Sequence, residues 1–315
     1  MKRFLALVLI VVIALSLMGC EQLKGYGDAL RDYIFDTGYH PGSRPESTKP
    51  NTTDPTEEAE EQLPPQPMPA NDDMVRVTDY IPDILVELRY AGENNFTGKV
   101  VYEFSDVYLR YGTVKKLKMA SDNLKKEGYR LKIWDGFRPI SAQGALWEAF
   151  PNPMYVVNPA TGYSSHSRGN TVDVTLTDAE GNELPMPSDF DEFSAKADQN
   201  YYDCTEEVAA NARTLQTAME QAGFQGYYSE WFHYSDTEVY VMQEIFMPLP
   251  AKACYAECED FISLRARPDV TSNVIFQIKK DGEFTVLAEY EDFYLVDYKG
   301  LRGYVLKNYV KSVEN

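Results

Sequence analysis

The chain has 315 residues, a formal net charge of −19 at pH 7 and an isoelectric point near 4.6. Binding to nucleic acid requires a basic face, so this charge argues against nucleic acid as a partner. The sequence also contains no glycine-rich loop of the kind that cradles phosphates. Changes of composition along the chain predict an N-terminal signal, a linker and two folded domains.

Residues 1–20 have the composition of an export signal. A short basic start precedes an apolar run from Phe4 to Met18. The sequence Leu17–Cys20 resembles a bacterial lipobox, which implies cleavage before Cys20 and a lipid on its sulfur. The alternative is an uncleaved transmembrane anchor, which would need roughly 20 apolar residues. Both interpretations place the protein outside the cytoplasm and attach it to a membrane, as expected of a bacterial lipoprotein.

Residues 21–73 are rich in Pro, Thr and Glu and poor in apolar side chains. Such a segment cannot bury enough apolar surface to offset the entropy lost on ordering. We therefore expect a disordered acidic tether that lets the following domain reach away from the membrane. His40, one of only three histidines in the chain, falls within this tether.

Residues 74–250 combine helical and strand patterns, which predicts a mixed α+β domain. Two helices are expected over residues 111–128 and 209–223, because apolar side chains recur at helical spacing and each segment ends on glycine. Residues 129–134 alternate between apolar and polar, as in a strand, and lead into a turn that carries Arg138.

Two stretches of this domain contain residues that bind metals. Residues 171–176 alternate in the same way, so they predict a strand that presents Asp173 on the face opposite its apolar side chains. His166 lies before this strand, and Glu230 and His233 follow some sixty residues later. Glu230 and His233 are three residues apart and would point to opposite faces of a straight strand, so we expect a bend or a strand end between them.

Two imidazoles and one carboxylate are the three-ligand set that leaves a fourth zinc position open. We therefore expect one catalytic zinc ion per chain, held by His166, Asp173 and His233, with Glu230 as the base. The alternative is that each histidine is structural, which is the usual situation for a histidine taken alone. The joint occurrence of the four residues favours the zinc site.

A run of short strands separated by turns covers residues 255–315 and resembles a bacterial SH3-like domain, a small five-strand barrel. The resemblance implies binding to the cell wall, with a purely structural appendage as the alternative. If Cys20 is lipidated, three cysteines remain. We expect Cys204 to form a disulfide with either Cys254 or Cys258, and the spacing does not choose between them.

The residues around the expected metal ligands, SSHSRGNTVDVTL and EWFH, resemble the D-alanyl-D-alanine dipeptidases of the VanX type. These belong to the zinc D,D-peptidases, which have a hedgehog-like fold. Phe137 and Phe232 stand where the family usually carries Tyr and Trp. The resemblance covers roughly residues 74–250, and further family blocks occur in the family's order at Arg89–Val100, Trp134–Pro139, Pro187–Asp191 and Met219–Tyr234.

The resemblance implies roles for three further residues. Arg138 would stabilise the charge that develops at the scissile carbonyl, a role suited to a planar and permanently charged guanidinium. Asp191 would bind the free ammonium of the substrate, and Ser164 would lie near the substrate's carboxylate. The alternative for Asp191 is an acidic surface turn shared with Asp189 and Glu192.

Three functions are compatible with these observations. The first is hydrolysis of D-Ala-D-Ala to two D-alanines by metal-activated water, as the resemblance implies. The second is a D,D-carboxypeptidase or endopeptidase acting on peptidoglycan stem peptides, which the expected export favours. The third is a non-catalytic wall-binding lipoprotein, which is the weakest because the chain keeps every ligand and the base.

Overall fold

The computed structural model describes residues 62–313. The expected signal peptide, Cys20, His40 and most of the expected tether lie outside the described residues. Within the described part of the chain, no helix is both long enough and apolar enough to cross a membrane.

The central sheet of the first domain has five strands in the order β2-β4-β5-β7-β6. β2 runs parallel to β4, and the other neighbours are antiparallel. A separate pair is formed by β1 and β3. The strands are β1 Met74–Arg76, β2 Leu85–Val86, β3 Tyr108–Arg110, β4 Arg130–Asp135, β5 Thr171–Thr177, β6 Phe224–Tyr227 and β7 Glu230–Asp236.

β5 is the middle strand of this sheet, and all seven of its residues are buried. The sequence predicts one apolar and one polar face, and the structure covers both. The polar face of β5, which includes Asp173, is therefore enclosed, and the Asp173 carboxylate is shielded from water.

Three helices accompany the central sheet: α1 Tyr111–Lys126, α2 Ile140–Ala149 and α3 Glu206–Gln221. The two predicted helices, α1 and α3, are confirmed, and α2 was not predicted. Gly128 and Gly223 follow α1 and α3 with φ of 88° and 92°. This left-handed conformation ends a helix at little cost only in glycine.

A second sheet of seven strands follows, in the order β10-β9-β13-β12-β11-β8-β14, and we call it the SH3-like sheet. The mixed α+β prediction and the small all-β C-terminal domain are thus confirmed: β9–β13 are the five expected strands, and β8 and β14 extend them at one edge. Its strands are β8 Phe246–Ala256, β9 Phe261–Arg265, β10 Val274–Lys279, β11 Glu283–Tyr290, β12 Phe293–Tyr298, β13 Leu301–Leu306 and β14 Val310–Ser312.

The end of the expected tether, described from residue 62, makes fixed contacts instead of being free. Leu63 packs against the core of the SH3-like sheet. The Gln66 side chain accepts a hydrogen bond from the backbone N–H of Arg302 at 2.7 Å and donates one to its carbonyl at 3.1 Å. Two such bonds align Gln66 with a strand edge, so the prediction of disorder through residue 73 is wrong at this end.

The expected disulfide is also wrong, because Cys204, Cys254 and Cys258 are all free thiols. Cys204 packs against the core of the central sheet. Cys254 belongs to the core of the SH3-like sheet, and the partly buried Cys258 packs against it. The three cysteines therefore serve as small apolar side chains in two different cores.

Candidate metal centre and active-site cleft

His166, Asp173 and His233 converge on the central sheet. Asp173 and His233 are direct cross-strand partners on β5 and β7. His166 comes from the short 3-10 turn Ser165–Arg168, which ends on Gly169 with a left-handed φ of 73°. One potential ligand atom from each of the three side chains lies within 4.8 Å of the other two.

The distances within this group suit a metal better than a hydrogen-bonded cluster. His166 Nε2 lies 3.4 Å from Asp173 Oδ2, and His233 Nδ1 lies 3.1 Å from Asp173 Oδ1. Despite that short distance, Asp173 Oδ1 is buried and accepts no hydrogen bond of acceptable geometry. Burial alone would raise the pKa of Asp173, but the nearby His166 and His233 hold that pKa well below its usual value.

The tautomer of His166 is set by a hydrogen bond on its far side. Its Nδ1 lies 2.8 Å from the carbonyl oxygen of Gly136, which can only accept, so Nδ1 carries the proton. Nε2 therefore presents a lone pair to Asp173 and His233. A histidine oriented by a backbone carbonyl is the usual arrangement behind a metal ligand. The three residues thus fit a divalent cation of the zinc type in both donor chemistry and orientation.

Glu230 is the first residue of β7, at the point where the pairing of β6 and β7 shifts register between Gly226 and Tyr227. β7 runs unbroken through Glu230 and His233, so no strand end separates them. The register shift, with Tyr227 opposite Glu230 and Gly226 opposite Tyr234, falls between the two residues instead, and Glu230 Oε2 lies 3.5 Å from His233 Nδ1. Burial raises the pKa of Glu230 to about 7, against the lowering effect of His233. A carboxyl group with such a pKa is suited to accept and return a proton near neutral pH.

Arg138 is buried beside the metal ligands and held on two sides. Its Nε and Nη2 donate to Asp135 Oδ2 at 3.1 and 2.6 Å, and its Nη1 donates to Gln143 Oε1 at 3.0 Å. The guanidinium also lies over the ring of Tyr90, at 5.1 Å from the ring centroid. These bonds use three of the five N–H groups of a guanidinium, so donors remain for a ligand.

Asp135 is a functional candidate that the sequence interpretation missed. Its carboxylate is fully enclosed, and Oδ1 accepts hydrogen bonds from the Tyr102 hydroxyl at 2.9 Å and the Gly136 N–H at 2.8 Å. Asp135 Oδ2 holds Arg138 and also lies 3.6 Å from His166 Nδ1, so the carboxylate supports both the guanidinium and a metal-ligand candidate. The available signal was the i,i+3 spacing of an acid and an arginine at a strand end, which the sequence interpretation assigned simply to a turn.

Asp191 adopts a left-handed φ of 55° and turns its carboxylate inward. Its Oδ2 accepts a hydrogen bond of 2.6 Å from the hydroxyl of Tyr90, a buried residue. Burial raises the pKa of Asp191 to about 7, although the bond from Tyr90 acts in the opposite direction. The alternative of an open acidic surface turn does not describe this geometry. Tyr90, like Asp135, was missed by the sequence interpretation.

These side chains line one cleft of about 490 Å³. Ser164 is buried in its wall, and the Oγ of the neighbouring Ser165 lies 3.4 Å from His233 Nε2. One side of the cleft is apolar, with Tyr155 stacked on Phe193 at 4.8 Å. The polar and charged lining residues from the sequence prediction are Arg138, Ser164, His166, Asp173, Asp191, Glu230 and His233.

A family model described as D-ala-D-ala dipeptidase matches residues 70–248, more than half of the chain. The chain belongs to this family. A second model, described as a bacterial SH3 domain, matches residues 260–311. Both resemblances read from the sequence are thereby confirmed. Peptidases of this dipeptidase family are metal-dependent, in agreement with the ligand set on the central sheet.

Two relatives named D-alanyl-D-alanine dipeptidase match most of their own length to this chain. The D-alanyl-D-alanine dipeptidase of Escherichia coli K12 is 35% identical over 162 residues, which are 51% of this chain and 83% of the relative. That of Enterococcus faecium is 35% identical over 170 residues, covering 47% and 83%. A solved structure of the LD-carboxypeptidase LdcB covers 55% of this chain and 69% of its own, at 20% identity and a TM-score of 0.32, which is too low for a comparison of folds.

Proposed function

We propose that the protein is a zinc-dependent peptidase that hydrolyses the D-Ala-D-Ala dipeptide to two D-alanines. The observation that carries this proposal is the presence of three convergent ligands, a carboxyl group and a guanidinium in one cleft. His166, Asp173 and His233 would hold the zinc ion. A zinc ion held there would activate a water molecule as the nucleophile and polarise the scissile carbonyl.

Glu230 is placed to move the proton. Its Oε2 lies beside His233 at 3.5 Å and therefore at the edge of the ligand set. There it takes the proton from the attacking water and returns it to the nitrogen of the leaving D-alanine. Its raised pKa makes both transfers accessible near neutral pH.

Arg138 acts on the carbonyl oxygen as negative charge develops there. The bond pair to Asp135 and the bond to Gln143 fix the guanidinium before the substrate arrives. A donor held in place in a buried site stabilises a developing charge more strongly than one that must reorganise. Asp135 is a positioning residue in this scheme, since it touches Arg138 and not the substrate.

Asp191 and Ser164 select the two ends of the substrate. The enclosed Asp191 carboxylate pairs with the free ammonium of a dipeptide, and Ser164 lies near the carboxylate of the second residue. A longer or N-blocked peptide has no ammonium at that place and would leave Asp191 unpaired in a buried site. Leaving a buried polar group unpaired is how a site rejects an analogue strongly.

A D,D-carboxypeptidase or endopeptidase acting on peptidoglycan stem peptides is the second candidate. The lipobox-like sequence ending at Cys20 and the bacterial SH3 domain favour it, because both are typical of proteins that act at the cell wall. In either case we propose that lipidated Cys20 anchors the chain outside the cytoplasm and that the SH3-like domain binds the wall.

The substrate is tested by incubating the full-length chain, in detergent, with D-Ala-D-Ala and separately with a pentapeptide stem ending in D-Ala-D-Ala. Release of D-alanine from the dipeptide at a much higher kcat/KM supports the dipeptidase. Comparable or preferred release from the stem contradicts it and leaves the wall hydrolase.

The anchor is tested by fractionation of cells that carry Cys20→Ser. We expect the variant to leave the membrane fraction with its catalysis unchanged. A variant that still sediments with membranes would instead support an uncleaved anchor.

A further inference from the structure

The SH3-like sheet packs against the same backbone segments that carry Arg138 and His166. A cluster of buried side chains, which we call the junction cluster, joins the SH3-like sheet to the β1–β3 pair and to the segment that follows β4, and it belongs to neither of the two larger cores. The junction cluster consists of Met74, Tyr108, Phe137, Phe246, Leu287, Ala288, Phe293, Leu295 and Tyr304.

Phe137 is the first link from this cluster to the active site. Its ring lies 5.5 Å from that of Phe246, the first residue of β8, and both side chains are almost fully buried. Phe137 stands between Gly136, whose carbonyl orients His166, and Arg138. A tyrosine here, as the family usually has, would place its hydroxyl in this apolar cluster at a cost unless it found a partner.

Gln243 is the second link. Its backbone N–H donates to the carbonyl of Ser167 at 2.9 Å, and its side-chain Nε2 donates to the hydroxyl of Tyr290 at 2.6 Å. Ser167 directly follows His166 in the 3-10 turn, and Tyr290 is the last residue of β11 and the cross-strand partner of Phe246. A residue of the SH3-like sheet is thus connected by two hydrogen bonds to the turn that presents a metal ligand.

We infer that the SH3-like domain is a positioning element of the catalytic site, in addition to any wall ligand it binds. Tyr290 is the contact from the SH3-like domain, and it acts on two residues of the dipeptidase domain, Gln243 and Phe246. Through them it holds the Ser165–Arg168 turn and the Gly136–Arg138 segment in place. The inference rests on the proposed metal site. Partners behind a metal ligand tune its affinity, and small displacements of catalytic groups lower turnover strongly.

The gentlest test is Tyr290→Phe in the full-length chain, which removes one hydroxyl and keeps the ring. Tyr294→Phe is the matched control, because Tyr294 packs on the core of the SH3-like sheet and lies outside the junction cluster. We expect Tyr290→Phe to weaken zinc binding, measured against a chelator, by about fivefold, the effect of one hydrogen bond. kcat for D-Ala-D-Ala should fall by a similar factor with little change in KM, while the control changes neither.

Two further variants separate positioning from general destabilisation. Gln243→Leu combined with Tyr290→Phe should lose little more zinc affinity than Gln243→Leu alone, because the two residues act through one contact. Phe246→Leu should alter the absorption spectrum of the cobalt-loaded protein, whereas Phe284→Leu, in the core of the SH3-like sheet, should lower stability and leave the spectrum unchanged.

Unchanged zinc affinity and kcat in Tyr290→Phe contradict the inference, as does an equal loss in the Tyr294→Phe control. If Phe246→Leu does not fold, Tyr290→Phe still decides. An unmutated chain that binds zinc but releases no D-alanine would contradict the proposed function. The zinc affinities of the variants would nevertheless decide the role of the SH3-like domain.

Discussion

The regions around the central sheet and the SH3-like sheet both have apolar cores, but they differ in the polar and charged side chains that they bury. Among the described residues, every buried polar or charged side chain lies between Arg110 and Gln243, before the SH3-like sheet begins. The core of the SH3-like sheet is built from apolar side chains such as Ile262, Ile278 and Val296.

In this chain the buried charged groups of the candidate site and the uncharged core of the SH3-like sheet lie in different regions. Burying a charge costs free energy unless a partner compensates for it, and breaking such a pair is strongly destabilising. Asp135, Arg138 and Asp173 are all enclosed at the central sheet, so the free-energy cost of burying charge falls in this region. The SH3-like sheet has no such charges in its core, so it gains stability from burial and covers the neighbouring segments of the site.

The largest effect is expected from Glu230→Gln, which keeps the shape of the side chain and removes the base. Loss of a general base lowers kcat by about 10²- to 10⁴-fold. Metal content should be unchanged, because Glu230 is not one of the three ligands. Metal analysis together with steady-state kinetics checks both parts, and Glu220→Gln on the exposed side of α3 is the control. Retained turnover would assign the base to another group.

Asp135→Asn tests whether the buried charges of the central sheet hold the site as well as the fold. Arg138 would keep its charge and lose its carboxylate partner, so the free energy of unfolding should fall by about 3–5 kcal/mol. Urea unfolding measures this loss, and kcat/KM at low temperature measures the loss of oxyanion stabilisation.

Asp236→Asn provides the matched control for that variant. Asp236 is an equally enclosed carboxylate that pairs with Lys116 and accepts a hydrogen bond from the Thr113 hydroxyl at 2.8 Å, away from the cleft. It should lose stability with kcat/KM unchanged. If both variants lose kcat/KM equally, the positioning role of Asp135 is refuted.

Asp191→Asn tests the selection of a free ammonium. The unmutated enzyme should hydrolyse N-acetyl-D-Ala-D-Ala at least a hundredfold more slowly than D-Ala-D-Ala, because the blocked peptide leaves Asp191 unpaired. The variant should lose about the same factor on D-Ala-D-Ala and change little on the blocked peptide. Equal kcat/KM of the unmutated enzyme on both peptides would contradict the dipeptidase assignment.

The same variant should stabilise the metal-free protein at alkaline pH. Burial raises the pKa of Asp191 in the folded chain from 3.8 to about 7, so the folded state holds a proton that the unfolded chain releases. The contribution of Asp191 to stability is therefore complete below about pH 4 and is lost as the pH rises through about 7. Part of the gain is offset because the Tyr90 hydroxyl then donates to a neutral amide oxygen instead of a carboxylate. We therefore expect Asp191→Asn to gain about 1–2 kcal/mol at pH 8, and nothing at pH 4, in urea unfolding.

The smallest effect is expected from a substitution in the core of the SH3-like sheet. Ile278→Val removes one methyl group from a fully buried position and should lower the free energy of unfolding by about 1 kcal/mol. Its kcat and zinc affinity should equal those of the unmutated chain, since Ile278 lies outside the junction cluster. A loss of turnover would mean that the whole SH3-like core, and not the junction alone, is coupled to the site.

Local patterns in the sequence predicted most of the elements. The glycine stops of α1 and α3 and the alternation of β5 are set by backbone geometry and side-chain period, which neighbouring residues determine. The same patterns predicted the α+β class and the family, which the comparison confirms. They failed for the disulfide and for the last tether residues, because thiol packing and the Gln66 contact depend on segments far away in the chain.

For the site, the sequence by itself determined the identity of the chemical groups: two histidines, three acids, a serine and an arginine in recognisable motifs. Only the tertiary structure decided how those groups are held. The hydrogen bond from Tyr102 to Asp135 spans 33 residues of chain, and the hydrogen bond from Tyr90 to Asp191 spans 101. Gln243 reaches both Ser167 and Tyr290. Such pairs join turns and loops that are far apart in the chain, and no local period encodes them, which is why the supports of the site became visible only in three dimensions.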